Sequence, residues 1–347
     1  MSASLDQLVA AVAPGDAITG QAFAWREVLR RAGVGGSIYA QHVHPELLGE
    51  VAQLGDAPRD GSPVLLRYSL WSDAAALALR TSGPLGMVYH NITPAHLVRP
   101  LDPNVARLCA EGRRALPAFR HKCTTTIADS EYNAAELRRA GWSAVNVIPL
   151  LLDLPNPPPV RDPVPPVLLF VGRVVPSKRI DDLLRVLAYV RETRIPDARL
   201  VVIGAFPDVG THRADLEVLA RDLGVGDAVD FRGRVSDAER DAAYATAGAY
   251  VSMSEHEGFC APLLEAMSLG LPVVARAAGA VPETAGRAAL LVSGRDIPLA
   301  GEAVAEALSS AATRRGLRVN ALHRLSELRT AAIEPRILAA LDPLLRA

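Results

Sequence analysis

The sequence predicts an α/β protein made of two domains, each built around a parallel β-sheet. The chain has 347 residues, half of them hydrophobic, which is more than one ordinary domain core takes up. Seven prolines crowd the segment LPNPPPVRDPVPP at 154–166, which therefore cannot form a helix or a central strand. On both sides of it, short apolar runs alternate with helical patterns, which is typical of parallel α/β sheets.

The proline-rich segment sets the predicted domain boundaries. We predict a first domain over 1–153, a linker over 154–166 and a second domain over 167–333. The apolar runs predict strands at 7–13, 37–41, 64–69, 86–90, 124–128 and 146–150, then at 167–172, 198–204, 228–233, 249–254, 272–276 and 289–292. The clearest helix is 180–192, and GDAITG (15–20) is predicted to be a turn. Ligands of such folds bind beyond the carboxyl ends of the strands.

Composition excludes several classes of protein. The net charge is −1, and acidic and basic residues balance in both halves, which argues against a general nucleic-acid binder. No apolar run reaches the roughly 18 residues of a membrane span, and the first residues lack the basic start of a signal peptide. Three cysteines form no CxxC pair, so we expect a cytoplasmic protein.

The stretch VLLFVGRVVPSKRIDDLL reads as a strand, a loop and a helix. Gly172 lets the backbone turn close to a ligand at the strand end. Arg173 offers a planar fork of donors and Lys178 a point charge, a combination suited to a diphosphate. The alternative is a solvated loop whose charges bind nothing.

The stretch SEHEGFCAPLLEAM ends a second strand and opens a helix. Pro262 is predicted to be the first helical residue, which brings the backbone amides of 258–262 to a helix N-terminus, a favourable place for an anion. Glu257 falls in the turn before the helix and Glu265 in its first turn. Both carboxylates can accept hydrogen bonds from sugar hydroxyls. The alternative is that Glu265 only complements the helix dipole and Glu257 is solvated.

These residues resemble a known family. VGRVVPSKRIDDLL, VDFRGRVSDAER and SEHEGFCAPLLEAMSLGLPVVARAAGAVPE are similar to retaining glycosyltransferases of family GT4, which have the GT-B fold. PGDAITG, YHNITP and ADSEYNAAELRRAGW are similar to one bacterial branch of that family. The resemblance implies two Rossmann-like domains facing each other across a cleft, the first for the acceptor and the second for the nucleotide-sugar donor. It also implies that a helix at 334–347 packs back on the first domain.

The resemblance assigns roles to individual positions. Arg173 and Lys178 match the pair that binds the donor diphosphate, Glu265 matches the ribose ligand, and Glu257 matches an acid that contacts the transferred sugar. His90 matches a first-domain histidine that contacts the same sugar. His90, Glu257, Arg173 and Lys178 are therefore the expected catalytic group. The remaining expected donor-binding positions are Gly15, Gly172, Val235, Gly258, Phe259, Cys260 and Ala261.

Cys260 departs from the family pattern, which usually has glycine there. If that glycine needs a positive φ, Cys260 is strained. The favoured expectation is that the position tolerates a small side chain and that Cys260 narrows the sugar pocket. A nucleophilic thiol is a third reading, because His256 and a helix N-terminus are near in sequence.

Four further patterns have an ordinary explanation beside any functional one. Asp16 can orient an acceptor hydroxyl or cap a helix, and Ser130 is predicted to be an N-cap. His42 and His44 lack a third metal ligand. The basic segment 107–122 is either a solvated helix face or a surface for a lipid-linked acceptor at the inner face of the membrane.

The sequence therefore predicts a glycosyltransferase of the hexosyltransferase class. We expect it to move a hexosyl unit from a nucleotide-diphosphate sugar, with UDP or GDP favoured, to a hydroxyl of a glycan, lipid-linked or small-molecule acceptor. No D-x-D triplet occurs, so no metal and no other cofactor is expected. The alternatives are a GT-B sugar-nucleotide epimerase or phosphorylase, and a non-catalytic nucleotide-sugar-binding subunit.

Overall fold

The computed structural model describes residues 4–206 and 211–346, which form two compact units. Unit 1 comprises residues 1–99, 103–153 and 328–347, and unit 2 comprises 100–102 and 154–327. Each unit has its own sheet and its own buried core.

Unit 1 is built around a parallel sheet that has seven strands within the described part of the chain. The strands are β1 (Asp6–Val12), β2 (Ile38–Val43), β3 (Ala52–Gln53), β4 (Val64–Tyr68), β5 (Leu85–Tyr89), β6 (Cys123–Ala128) and β7 (Asn146–Val147). They lie in the order β3-β2-β1-β4-β5-β6-β7. The helices are α1 (Ala17–Arg31), α2 (Asp73–Arg80), α3 (Ala95–Val98), α4 (Pro103–Lys122) and α5 (Glu131–Arg139).

The central strands of unit 1 are buried on both faces. Every residue of β4 and β5 is buried, as expected for a parallel sheet covered by helices on both sides. Strand order reverses between β1 and β4, so the loops after these strands flank the switch point of this sheet.

Most strand boundaries predicted for unit 1 lie within two residues of the observed ones, and two other predictions were wrong. GDAITG is not a turn throughout, because the carboxylate of Asp16 accepts the amide of Thr19 at 2.9 Å and α1 already begins at Ala17. The strand expected at 146–150 pairs only over Asn146–Val147. Ile148 still donates to Ala128 at 2.9 Å, but Pro149 has no amide to continue the ladder.

Unit 2 has a second parallel sheet, with six strands in the region that the structure describes. They are β8 (Val167–Val171), β9 (Arg199–Ile203), β10 (Val229–Gly233), β11 (Ala249–Ser252), β12 (Val273–Arg276) and β13 (Ala289–Val292), in the order β10-β9-β8-β11-β12-β13. The helices are α6 (Ile180–Thr193), α7 (His212–Asp222), α8 (Asp237–Thr246), α9 (Ala261–Ser268), α10 (Val281–Ala285), α11 (Ile297–Ser309) and α12 (Ala311–Glu327).

The proline-rich segment 154–166 forms no helix or strand and belongs to unit 2. Side chains of that unit hold its backbone. Arg318 donates to the carbonyl of Pro158 at 2.6 Å and to that of Pro157 at 3.0 Å. Arg161, within the segment, donates to the carbonyl of Ala247 at 2.6 Å.

The final helix, α13 (Thr330–Leu345), belongs to unit 1 and packs on β5 and β6. Its inward side chains Ile333, Ile337 and Leu341 are fully buried. The hydroxyl of Thr125 on β6 donates to the carbonyl of Ala340 at 2.9 Å. The core of unit 1 therefore depends on a segment that is distant in sequence from the rest of the unit.

Candidate functional site

Strand order in unit 2 reverses between β8 and β11, so the loops that leave these strands are the expected place for a ligand. These loops span 172–179 and 253–260. The amide of Glu255 donates to the carbonyl of Ser177 at 2.9 Å and ties the loops together. Lys178 and Glu257, one from each loop, therefore lie on the same edge of the sheet.

Glycines stand at the ends of three neighbouring strands of this edge. Gly172 follows β8 and donates to Ile203 at 2.9 Å, while Gly204 follows β9 and donates to Gly233, the last residue of β10, at 2.8 Å. A Cβ added to Gly204 would lie 1.8 Å from the carbonyl oxygen of Gly172. Only glycine fits there, and the edge presents bare backbone at these positions.

Lys178 and Glu257 form an ion pair. Lys178 Nζ lies 2.7 Å from Glu257 Oε1, and the two side chains are 19% and 9% exposed. The sequence predicted a phosphate-binding cation and a hydroxyl-binding acid at these positions, but it did not predict that they would contact each other. Burying a carboxylate is costly unless a cation pairs with it, and Lys178 supplies that cation.

Arg173 differs from Lys178 in its surroundings. Its side chain is exposed and makes no hydrogen bond or ion pair with any residue that the structure describes. All five guanidinium donors are therefore available.

Cys260 has the left-handed conformation, with φ 73° and ψ 61°, at the N-cap of α9. This is the strained case, so the favoured expectation of an easily tolerated side chain was wrong. The left-handed region costs an L-residue about 1–2 kcal/mol. The usual family glycine is explained by this φ, and Cys260 takes its place at an energetic cost.

The thiol of Cys260 lacks the surroundings of a nucleophile. Burial raises the pKa of Cys260 well above its usual range, and the carboxylate of Glu257 raises it further. The residue is only 7% exposed. A thiol that stays protonated and enclosed is a poor nucleophile, which supports a role for Cys260 in shape rather than in chemistry.

Glu265 is the fifth residue of α9, not part of its first turn as predicted. The helix begins at Ala261, with Pro262 second rather than first. Glu265 Oε2 accepts the hydroxyl of Tyr244 at 3.0 Å. Burial raises the pKa of Glu265, although the Tyr244 hydroxyl and the charge of Arg240 oppose the shift. Because Glu265 lies beyond the first turn, a favourable interaction with the helix dipole does not explain its position.

The loop after β12 and the helix α10 that follows it hold the backbone between Glu257 and Phe259. Ala280 donates to the carbonyl of Glu257 at 2.9 Å, and the hydroxyl of Thr284 donates to that of Phe259 at 2.6 Å. A Cβ on Gly279, which has φ 58°, would lie 2.3 Å from the Glu257 carbonyl oxygen. Sequence reasoning missed these residues, and the available signal was the glycine in AAGAVPE.

Of the other predicted positions of unit 2, Gly258, Phe259 and Ala261 lie in the second loop or directly after it, whereas Val235 follows β10. Phe259 and Ala261 are 6% and 9% exposed, and Gly258 is half-buried. Val235 is half-buried in the loop between β10 and α8, directly before Ser236, which caps α8 in a reciprocal capping box with Glu239.

In unit 1, Gly15 lies in the tight turn between β1 and α1, with φ 75°. Asp16 beside it is the N-cap of α1, so the capping role weighed for it is the observed one. Ser130 likewise caps α5, accepting the amide of Asn133 at 3.1 Å.

His90 lies just beyond β5, with its ring between two charged groups. Its Nδ1 is 2.8 Å from Asp129 Oδ2, and its Nε2 is 3.4 Å from an amino group of Arg67. The side chain of His90 is 3% exposed. Sequence reasoning missed Arg67 and Asp129, although a charged residue inside the apolar strand VLLRY was a usable signal.

Neither a metal cluster nor a membrane span was found in the described ranges 4–206 and 211–346. No group of three or more His, Cys, Asp or Glu side chains there could hold a metal ion. No helix in these ranges is both long and apolar enough to cross a bilayer. In the basic segment 107–122, Arg107 pairs with Glu111 and Arg113 with Glu136, each at 2.7 Å.

Most of unit 2 matches a known family of proteins. The model of the family described as glycosyl transferases group 1 matches residues 158–324. The GDP-mannose-dependent α-(1-6)-phosphatidylinositol monomannoside mannosyltransferase of Mycobacterium tuberculosis is 35% identical over 41% of this chain and 38% of its own length. The sulfoquinovosyl transferase SQD2 of Arabidopsis thaliana is 28% identical over 69% of this chain and 46% of its own. This chain thus spans less than half the length of these relatives.

Two solved structures resemble nearly the whole chain. Sucrose-phosphate synthase from Thermosynechococcus elongatus has a TM-score of 0.78 and 21% identity, covering 99% of both chains. HepE of Anabaena, solved in complex with UDP-glucose, has a TM-score of 0.74 and 18% identity, covering 98% of this chain and 99% of its own.

Proposed function

We propose a function from the premise that this chain belongs, through residues 158–324, to the glycosyl transferases of group 1 and has the GT-B fold, as its motifs predicted. The protein transfers a hexosyl unit from a nucleotide-diphosphate sugar to a hydroxyl of a glycan, lipid-linked or small-molecule acceptor. It retains the anomeric configuration and needs no metal. Unit 2 binds the donor and unit 1 the acceptor.

One observation carries this proposal. Lys178, Glu257 and the N-terminus of α9 lie together at the switch point of unit 2, with Arg173 exposed on the same loop as Lys178. Two cations and the amides of Cys260 and Ala261 suit a diphosphate. Carboxylates beside them suit the hydroxyls of a ribose and a hexose. The group thus offers complementary partners for both parts of a nucleotide sugar.

The same residues suit the chemistry of transfer. As the bond between sugar and phosphate breaks, negative charge grows on the leaving diphosphate, and Lys178, Arg173 and the α9 amides stabilise it. The acceptor attacks from the face that the diphosphate leaves, and the leaving phosphate takes up the hydroxyl proton. This route needs no protein nucleophile, which agrees with the enclosed thiol of Cys260.

The relatives guide the choice of donor and acceptor to be tried first. One of them is named as GDP-mannose-dependent, and a structural neighbour was solved with UDP-glucose. The mannosyltransferase and the sulfoquinovosyl transferase bear names that describe different transferred sugars. We therefore keep UDP- and GDP-sugars as donors, and we include lipid-linked acceptors with peripheral contact at the inner face of the membrane.

The test combines binding and turnover. Thermal-shift screening against UDP, GDP, ADP and TDP sugars identifies the donor, and calorimetry then measures its affinity in Arg173→Ala and Glu265→Ala. Both changes should weaken binding at least tenfold, because each removes a charged or hydroxyl-binding partner. Arg199→Ala is the matched control, because Arg199 begins β9 at the opposite edge of the sheet.

Four results would count against the proposal. Unchanged affinity in both variants would refute the site. Donor binding without transfer to any acceptor in a broad panel would favour the non-catalytic subunit. Conversion of the sugar nucleotide without an acceptor would favour an epimerase, and transfer to inorganic phosphate a phosphorylase.

A further inference from the structure

Unit 1 buries an entire arginine side chain in the middle of its sheet. Arg67 on β4 is 2% exposed. Its Nε donates to Gln7 Oε1 at 2.8 Å, a terminal nitrogen donates to the carbonyl of Gln21 at 3.1 Å, and the guanidinium lies 4.8 Å from the ring centroid of Trp25. Burying a charge is costly, so an arginine in a strand of apolar neighbours needs a compensating role.

The remaining contact of this guanidinium is the ring of His90. Arg67 reaches His90 Nε2 at 3.4 Å, and Asp129 meets the opposite ring nitrogen at 2.8 Å. The side chains of His90 and Asp129 are 3% and 7% exposed. The imidazole thus links a buried cation to a buried carboxylate.

The chemistry of the neighbours settles which ring nitrogen carries the proton. A guanidinium only donates hydrogen bonds, so Nε2 must be the acceptor in its contact with Arg67. A carboxylate only accepts, so Nδ1 carries the proton and donates to Asp129. These roles correspond to the Nδ1–H tautomer, with the guanidinium of Arg67 and the carboxylate of Asp129 on opposite sides of the ring. The pKa of Arg67 is lowered to about 9 by burial, with Asp129 opposing, so the cation persists at neutral pH.

We propose that Arg67 and Asp129 are positioning residues for His90, holding its ring as the neutral Nδ1–H tautomer so that Nε2 serves as a hydrogen-bond acceptor for a sugar hydroxyl. The contact between Arg67 and Nε2 is longer, and therefore weaker, than the contact between Asp129 and Nδ1. A hydroxyl that binds Nε2 therefore replaces the weaker of the two hydrogen bonds. His90 then orients a hydroxyl and does not act as a general acid. That the ligand of Nε2 is a sugar hydroxyl rests on the proposed function.

The tautomer is tested by spectroscopy, independently of any ligand. Nitrogen NMR on the full chain labelled with ¹⁵N-histidine separates protonated from unprotonated ring nitrogens, and His90→Gln assigns the signals. The expected spectrum at neutral pH has protonated Nδ1 and unprotonated Nε2. In Arg67→Met, Nε2 should gain a proton, since Asp129 remains while the opposing cation is gone. A protonated Nε2 in the unaltered protein would overturn the proposal.

The positioning role is tested by comparing two ligands that differ only in the sugar. Calorimetry with UDP and UDP-glucose, and with GDP and GDP-mannose, gives the share of affinity that depends on the sugar. In Asp129→Asn and Arg67→Met, affinity for the nucleotide sugar should fall about tenfold, while affinity for the diphosphate changes less than twofold. Arg26→Met is the matched control, because Arg26 is also stacked on a ring, Phe23, at 4.8 Å.

The outcomes separate the two proposals. Equal losses for nucleotide and nucleotide sugar would mean that Arg67 and Asp129 only support the fold, which overturns the positioning role. If no nucleotide sugar binds the unaltered protein, the proposed function fails, and the NMR result alone still decides the tautomer. Circular dichroism and thermal unfolding exclude variants that do not fold.

Discussion

Cys260 has a left-handed backbone conformation that costs a residue with a side chain about 1–2 kcal/mol. Replacing it by glycine removes this strain. The same change loses the packing of the side chain and increases the backbone entropy of the unfolded chain. We predict that Cys260→Gly changes the free energy of unfolding by less than about 1 kcal/mol, whereas Cys260→Val lowers it by about 2 kcal/mol, because a branched side chain fits this conformation poorly.

Urea unfolding followed by circular dichroism measures this comparison. Tryptophan fluorescence supplies an internal control, because Trp25, Trp71 and Trp142, the three tryptophans of the chain, all lie in unit 1. A glycine variant that is much less stable than the valine variant would contradict the assigned strain. Loss of transfer in a folded Cys260→Gly protein would restore the thiol as a chemical participant.

The pair of Lys178 and Glu257 is a second residue-scale feature with a measurable energy. Lys178→Met leaves the buried carboxylate of Glu257 without its cation, and we predict a loss of about 2–3 kcal/mol in unfolding free energy. Glu257→Gln in the same chain should recover part of the loss, because no unpaired charge then remains. Additive losses in the double-mutant cycle would show that the two side chains do not interact.

For individual residues, the sequence predicted the place of a side chain in the fold better than the residues that it contacts. Lys178 and Glu257 were placed at two strand ends because glycine, proline and apolar runs mark those ends locally. Their pairing depends on strand order, which brings β8 beside β11 and which no local pattern encodes. The conformation of Cys260 and the partners of His90 depend in the same way on residues far along the chain.

At the scale of elements, α9 shows how a one-residue shift changes a conclusion. Proline is common at the first helical position, and the prediction for Glu265 followed from placing Pro262 there. Pro262 is in fact second, and Glu265 falls in the second turn, where Tyr244 from α8 meets it. The ends of helices are the part that local propensity determines least well, whereas the existence and length of α6 were predicted nearly to the residue.

The start of α6 carries a pH-dependent interaction. Burial would raise the pKa of Asp182, but hydrogen bonds from Arg295 and Arg179 outweigh it and lower the pKa. Because the folded-state pKa lies below the unfolded one, the stabilisation is present at neutral pH and is lost as pH falls through the folded pKa.

We therefore predict that Arg295→Ala lowers the free energy of unfolding by about 1 kcal/mol at neutral pH, a modest value because the Arg295 side chain is half exposed. The difference from the unaltered protein should shrink at about pH 3. Urea titrations by circular dichroism at the two pH values measure it. An equal difference at both would show that Arg295 acts through packing and not through the charge of Asp182.

At the scale of the whole molecule, two parallel sheets follow from the sequence because strands buried on both faces are nearly continuous apolar runs. Their strand order does not follow, because several orders satisfy the same pattern. The helix at the end of the chain was placed on unit 1 by family resemblance alone, since nothing in the apolar spacing of 330–345 says which sheet it covers.

The packing of α13 leads to a prediction for unit 1. Leu341 is fully buried, so Leu341→Ala should lower the stability of this unit by about 3 kcal/mol. Leu48→Ala makes the same change at a side chain that is 57% exposed and should cost less than about 0.5 kcal/mol. The fluorescence of the tryptophans in urea reports this unit selectively. Hydrogen exchange should show lost protection in β5 and β6, and equal loss in β8 and β9 would contradict the assignment.

The discontinuity of unit 1 has a consequence for the order in which the protein matures. A ribosome makes β1 to β7 first, then all of 154–327, and only afterwards the segment that forms α13. Until then the apolar face formed around β5 and β6 lacks its partner. Unit 1 therefore completes its core only after unit 2 has been made, and a nascent chain arrested before residue 330 exposes an apolar surface that α13 covers in the folded protein.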